Sequence, residues 1–232
     1  DDVVLTNNKG VHRKKAGEYG LMAILMLHNH FQKIISNQFN RKYDSIYSTP
    51  IEGKNVLIVG TGSLGSSVAE LLEPLKANII GVNRHGKAKK GFSKIVTSNN
   101  IDDILPEADI LYLALPETPE TINFINESRL NLLKKTCSVV NIGRESALDY
   151  KTLFKLLNSN KLAGAILDVF TPEPIDSSSP IWDVTNLIVS PHVSADDGKY
   201  YIQHTLDLFF KNLNYFIANQ PLTNQVNKKL GY

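Results

Sequence analysis

Residues 55–84 read NVLIVGTGSLGSSVAELLEPLKANIIGVNR. The run opens with four apolar residues, 56–59, closed by glycine, the pattern of a strand buried on both faces. Gly60, Gly62 and Gly65 follow at G-x-G-x-x-G spacing. A helix-compatible segment over 64–73 comes next, then a second apolar run over 78–82. This order of strand, glycine turn, helix and strand is the context in which the glycine spacing acquires meaning. Gly60 permits the tight turn, Gly62 opens the backbone to a pyrophosphate, and Gly65 lets helix and strand pack closely. Ser63 and Leu64 then open the helix, whose free N–H groups and positive end face the phosphates. A bare glycine turn without a ligand is the weaker reading here.

The chain has 232 residues, 42% of them hydrophobic, enough for one domain or one domain and part of a second. A net charge of +2 supplies no global field for nucleic acid. The single cysteine, Cys137, excludes an intrachain disulfide and is compatible with a reducing compartment, so a cytoplasmic location is expected. No apolar run reaches membrane-spanning length and no secretory signal is visible. The lysines between 87 and 90 read as a solvated loop.

Outward from the glycine turn, the spacing predicts a strand-like run at 3–5 and a long helix over 15–39. His28 and His30 lie on different faces of that helix, so they do not share a metal, and no metal site is expected. Further strands are expected at 94–97, 109–115, 137–142, 162–169 and 187–190. Helices are expected at 101–107, 127–133 and 149–158, with Asp149 capping the last. Ser194 would cap a final amphipathic helix running to about residue 219. Alternation on this scale means an α/β fold, a doubly wound parallel sheet of Rossmann type. Ligands in such sheets bind at the carboxyl ends of the strands. There the sequence places Arg144, Asp168 with Glu173 beyond it, and His192. An Arg can grip a carboxylate bidentately, a His can move a proton, and a carboxylate beside that His favours the imidazolium. Each taken singly reads more blandly, as an ion pair, a turn acceptor or a structural histidine. Together, beside a dinucleotide fingerprint, they are the parts for reducing a 2-oxo acid.

Several stretches resemble the D-isomer-specific 2-hydroxyacid dehydrogenase family over nearly the whole chain. They are TNNKGVHRKKAGEYGL at 6–21, LPETPETINFI at 115–125, VVNIGRESALD at 139–149, AGAILDVFTPEPI at 163–175 and IVSPHVSA at 188–195. The resemblance implies an NAD(P)-dependent oxidoreductase in which Arg144, Glu173 and His192 are catalytic. It puts Pro116 beside the nicotinamide and Asp168 on the cofactor side. It also implies a homodimer through the nucleotide-binding domain, with no nucleic-acid or membrane partner. The residues around 180–195 and the tail look most like the glyoxylate/hydroxypyruvate reductase branch. A dinucleotide-sensing corepressor or scaffold on the same fold is the alternative. Formate dehydrogenase is disfavoured by Glu173, where that relative has glutamine.

Two departures stand out. Glu145 follows Arg144 where the family usually has glycine. The chain also begins at what looks like the last strand of the first half of the substrate domain. The expected division is 1–10 as the end of the substrate domain, 11–194 as the dinucleotide-binding domain, and 195–232 returning to the substrate domain. These residues alone are expected to bind dinucleotide and turn over poorly. At the end of the second strand, Asn83 stands where NAD-binding domains carry an acid for the ribose 2′-OH. Arg84 follows and Lys87 is close behind. The lost acid and the added cations predict a preference for NADP(H), with NAD(H) possible.

Overall fold

The computed structural model describes residues 3–228. Seven strands form one sheet: β1 (Asn55–Val59), β2 (Asn78–Asn83), β3 (Lys94–Thr97), β4 (Ile110–Leu113), β5 (Ser138–Asn141), β6 (Gly164–Leu167) and β7 (Leu187–Val189). Their order is β3-β2-β1-β4-β5-β6-β7. Every neighbouring pair is parallel, with Val59 opposite Val82 on one side and Leu113 on the other. The fold is the doubly wound α/β sheet expected from the alternation.

Alternate residues of each strand feed two separate cores. Leu57, Val59, Leu111, Leu113 and Val139 face one cluster, closed by Leu105, Leu130, Leu153 and Leu157. Val56, Ile58, Ile110, Tyr112 and Val140 face the other, closed by Ala16, Ala23, Val68 and Leu72. Both faces are therefore apolar, which is why the strands read as continuous runs. Each fully buried aliphatic side chain contributes about 1.5–3 kcal/mol.

The helices are α1 (Arg13–His28), α2 (Phe31–Phe39), α3 (Ser63–Leu72), α4 (Glu127–Leu130), α5 (Tyr150–Asn158) and α6 (Tyr201–Ile217). Asp149 caps α5 as expected, accepting from the Thr152 N–H at 3.0 Å. Four expectations are corrected. The long helix over 15–39 is two helices, broken where His30 takes φ +54°. The stretch 3–5 forms no strand; Thr6 makes an isolated antiparallel bridge with Gln225, flanked by the Val226 N–H on the Leu5 carbonyl and the Asn7 N–H on the Asn224 carbonyl. Ser194 does not cap the last helix, because α6 starts only at Tyr201, seven residues on and with no side-chain cap; the Ser194 N–H is instead held by Asp168. The helix expected at 101–107 is two short 3-10 turns instead. No helix among the described residues is long and apolar enough to cross a membrane.

Candidate active site

The strand order reverses between β1 and β4, and a cleft of about 900 Å3 opens at their carboxyl ends. Gly60 leaves β1 with φ +100°, and a Cβ there would lie 2.6 Å from the Ala114 carbonyl oxygen. A Cβ on Gly65 would collide with the Gly60 carbonyl oxygen, so helix α3 can start this close only with glycine. Around Gly62 the space is open, and no side chain caps α3. An uncapped helix N-terminus over an open glycine backbone fits a pyrophosphate.

Gly60, Gly62, Ser63, Leu64, Asn83, Arg84 and Pro116 all line this cleft. Gly65 acts behind it through packing. The LPETPET stretch is shaped locally: the Thr121 hydroxyl donates to the Pro116 carbonyl at 2.7 Å and accepts the Thr118 N–H at 2.8 Å. Asn83 is folded onto its own loop, donating to the Thr61 hydroxyl and to the Lys87 carbonyl. Arg84 is paired with Glu120 across the cleft mouth. Lys89 lines the cleft, whereas Lys87 does not. The sequence reading missed the opposite wall, Asn7–Gly10 and His12, which reaches the cleft from the turn before α1. No spacing rule connects that segment with the glycines.

The cleft ends at Gly143 and Arg144. The turn carrying Arg144 is built by Asn141, which is fully buried. Its side-chain oxygen accepts the Gly143 N–H at 3.0 Å and its amide donates to the Arg144 carbonyl at 3.0 Å. The Tyr150 hydroxyl accepts from Asn141 and donates to the Val169 carbonyl at 2.7 Å. Burial pushes that hydroxyl far up, so it stays protonated and can serve as this donor. The turn after β5 is thereby fastened to the loop after β6. Glu145 points along the same loop: its carboxylate is hydrogen-bonded to Thr171, and burial, with the Glu117 charge adding to it, holds its pKa up.

Glu173 and His192 meet at that rim. His192 Nδ1 lies 2.7 Å from Glu173 Oε2, and Glu173 Oε1 accepts the Phe170 N–H at 2.7 Å. Partial burial pushes the Glu173 pKa up, but the His192 hydrogen bond, the Phe170 N–H and the charges of His192 and Arg144 outweigh it. The net result is a carboxyl held below its usual value. An ionised acceptor on Nδ1 makes that nitrogen the donor and leaves Nε2 free to face a substrate. Arg144 is near enough for its charge to act on Glu173, so the three residues share one rim. Asp168 is elsewhere. It is fully buried, and its oxygens take the Ser190 hydroxyl at 2.6 Å, the Val193 N–H at 3.0 Å and the Ser194 N–H at 2.9 Å.

A family model described as D-isomer specific 2-hydroxyacid dehydrogenase, NAD binding domain, matches residues 21–194. The chain is 33% identical over 180 residues to a glyoxylate reductase of Aeropyrum pernix, covering 78% of this chain and 53% of that protein. It is 29% identical over 219 residues to a glyoxylate/hydroxypyruvate reductase A of Escherichia fergusonii, covering 93% of this chain and 68% of that one. The chain thus spans between about half and two thirds of the length of these relatives. A D-isomer specific 2-hydroxyacid dehydrogenase from Xanthobacter autotrophicus Py2, solved in complex with NADPH and MES, superposes with a TM-score of 0.91. Its identity is 25%, with 100% of this chain and 95% of that chain covered.

Proposed function

The chain belongs to the D-isomer specific 2-hydroxyacid dehydrogenase family, and on that premise we propose that it reduces a small 2-oxo acid to the D-2-hydroxy acid at the expense of NADPH. The observation that carries the reading is the His192–Glu173 pair standing beside Arg144 at the end of the dinucleotide cleft. The reduced nicotinamide, when bound, supplies the hydride. The N–H groups opening α3 and the open backbone at Gly62 would hold its pyrophosphate, and Arg84 and Lys89 would take a 2′-phosphate. Arg144 grips the substrate carboxylate and polarises the adjacent carbonyl. His192 donates a proton from Nε2 to the carbonyl oxygen, while Glu173 keeps the ring oriented and a proton on Nδ1.

Glyoxylate and hydroxypyruvate are the proposed substrates, on the names of the relatives. NADPH is the proposed cofactor because the superposing Xanthobacter enzyme was solved with it and because Asn83 and Arg84 stand at the discriminating strand end. The Thr6–Gln225 bridge supports assigning the segments before residue 10 and after residue 195 to a second, substrate-binding unit. A cytoplasmic homodimer belongs to the same proposal. Phe39 at the end of α2 and Tyr43 and Tyr47 beyond it, each at least 80% exposed, support the dimer, and the single free thiol supports the compartment.

Oxidation of NADPH with glyoxylate or hydroxypyruvate tests the reading. His192→Ala should lower kcat by roughly 10²- to 10⁴-fold, the usual contribution of a positioned general acid. Arg144→Ala should act mainly on KM. Steady-state constants near wild type in both variants would end this assignment.

A further inference from the structure

The His192 turn hangs on a buried carboxylate. Asp168, at the end of β6, is fully buried and accepts hydrogen bonds from Ser190, Val193 and Ser194. These three residues bracket His192. Within the bracket, the His192 N–H donates to the Ser190 carbonyl at 3.0 Å, and His192 itself takes φ +54°. That left-handed backbone is costly for a residue with a Cβ and persists only where its surroundings fix it. The Asp168 carboxylate, filled on both oxygens, is what fixes it here.

A second layer lies behind Asp168. The Tyr19 hydroxyl, on α1, is hydrogen-bonded to Ser190 Oγ. Ser190 has one proton, and it goes to Asp168. Tyr19 must therefore be the donor to Ser190, giving a directed chain from Tyr19 through Ser190 to Asp168. Tyr19 is 6% exposed, so water does not compete for the bond. The start of the same helix is tied to the same loop, with His12 Nδ1 2.8 Å from the Ala195 carbonyl oxygen. Helix α1 thus grips the chain on both sides of His192.

We propose that Tyr19 and Ser190 are positioning residues for His192, acting through Asp168: they hold the imidazole where it can reach the carbonyl oxygen, without touching substrate or cofactor. The proposal rests on His192 being the proton donor. Removing the Tyr19 hydroxyl frees Ser190 Oγ to rotate, weakens its bond to Asp168, and loosens the turn one layer above.

The test uses Tyr19→Phe, Ser190→Ala and Ser190→Thr in the intact protein. Thermal unfolding first confirms that each folds; Tyr19→Phe removes a single oxygen, and Ser190→Thr keeps the hydroxyl. Tyr19→Phe and Ser190→Ala should lower kcat roughly tenfold, as small misplacement of a reacting group does. KM and the NADPH dissociation constant should stay where they are, and Ser190→Thr should restore kcat. The ring resonance of His192, read in protein carrying isotopically labelled histidine and assigned with His192→Gln, should shift in the first two variants and return in the third. An unmoved resonance overturns the proposal whatever kcat does. A moved resonance with unchanged kcat overturns it as well. If the wild type shows no turnover, the oxoacid-reduction reading fails, and the resonance alone decides whether Tyr19 and Ser190 set the ring.

Discussion

The Arg84–Glu120 pair makes the cofactor proposal quantitative. Their side chains are 34% and 63% exposed, so this is a solvent-screened ion pair. Such pairs contribute about 0.2–1 kcal/mol. A 2′-phosphate must displace Glu120 from Arg84, so this amount is subtracted from NADPH binding. Glu120→Gln removes the competition at nearly constant size. It should tighten NADPH by about 1.4- to 5-fold, taking 1.4 kcal/mol as tenfold, and leave NADH unchanged. Arg84→Ala removes the phosphate's guanidinium. A hydrogen bond to a charged group is worth about 1.5–3 kcal/mol, so NADPH should weaken by roughly 10- to 150-fold. Fluorescence titration of both nucleotides against the wild type and the two variants reads these effects. Raising the salt should shrink the NADPH differences, since the charges are exposed. Equal shifts for NADH and NADPH, or a Glu120→Gln variant that binds NADPH more weakly, would refute the reasoning.

Two further outcomes follow from the ionisable groups. The Glu173 pKa is held below the ordinary carboxyl value, so its folded-state contribution is complete above that value and is lost as pH falls through the lowered one. The thermal midpoint of the wild type should therefore drop on acidification more steeply than that of Glu173→Gln; parallel curves would contradict the pairing. Cys137 is fully buried and burial pushes its thiol up to about 12. Native protein at mildly alkaline pH should therefore react with a thiol reagent only at the rate of unfolding, and immediate labelling would contradict this burial.

Local patterning made the sheet readable, and distance along the chain hid the rest. Residues 56–59 and 137–142 announce buried strands because both faces of the sheet are covered. The glycines announce their turn because Gly60 and Gly65 are sterically required there. Asp149 announces a helix start because its cap acts three residues away. The break between α1 and α2 was passed over: Asn29 and His30 belong to residue types that more often take positive φ, but one such pair inside an apolar helical pattern is a weak signal, and His30 takes φ +54° there. Ser194 looked like a cap because sequence cannot show that the chain turns back to Asp168, 26 residues earlier, and starts its helix only at Tyr201. The rim of Arg144, Glu173 and His192 was legible, since strand ends converge in any doubly wound sheet. The Tyr19–Ser190 contact joins residues 171 apart, and nothing local signals it.

The sheet is two consecutive pieces of chain joined by a single ladder. Strands β1 to β3 come from residues 55–97 and β4 to β7 from residues 110–189, and the ladder between the halves runs from Val56–Ile110 to Val59–Leu113, flanked by the Asp109 N–H on the Asn55 carbonyl and the Ala114 N–H on the Val59 carbonyl. The cleft lies over the end of this seam, with Gly60, Gly62 and Arg84 on one half and Pro116, Gly143 and Arg144 on the other. A nucleotide seated there is a splint across the join. It favours the docked halves over any form in which they have parted, by about 2.7 kcal/mol at a hundredfold excess over its dissociation constant. A nucleotide at this cleft then serves stability as well as chemistry, and the thermal midpoint should rise with its concentration.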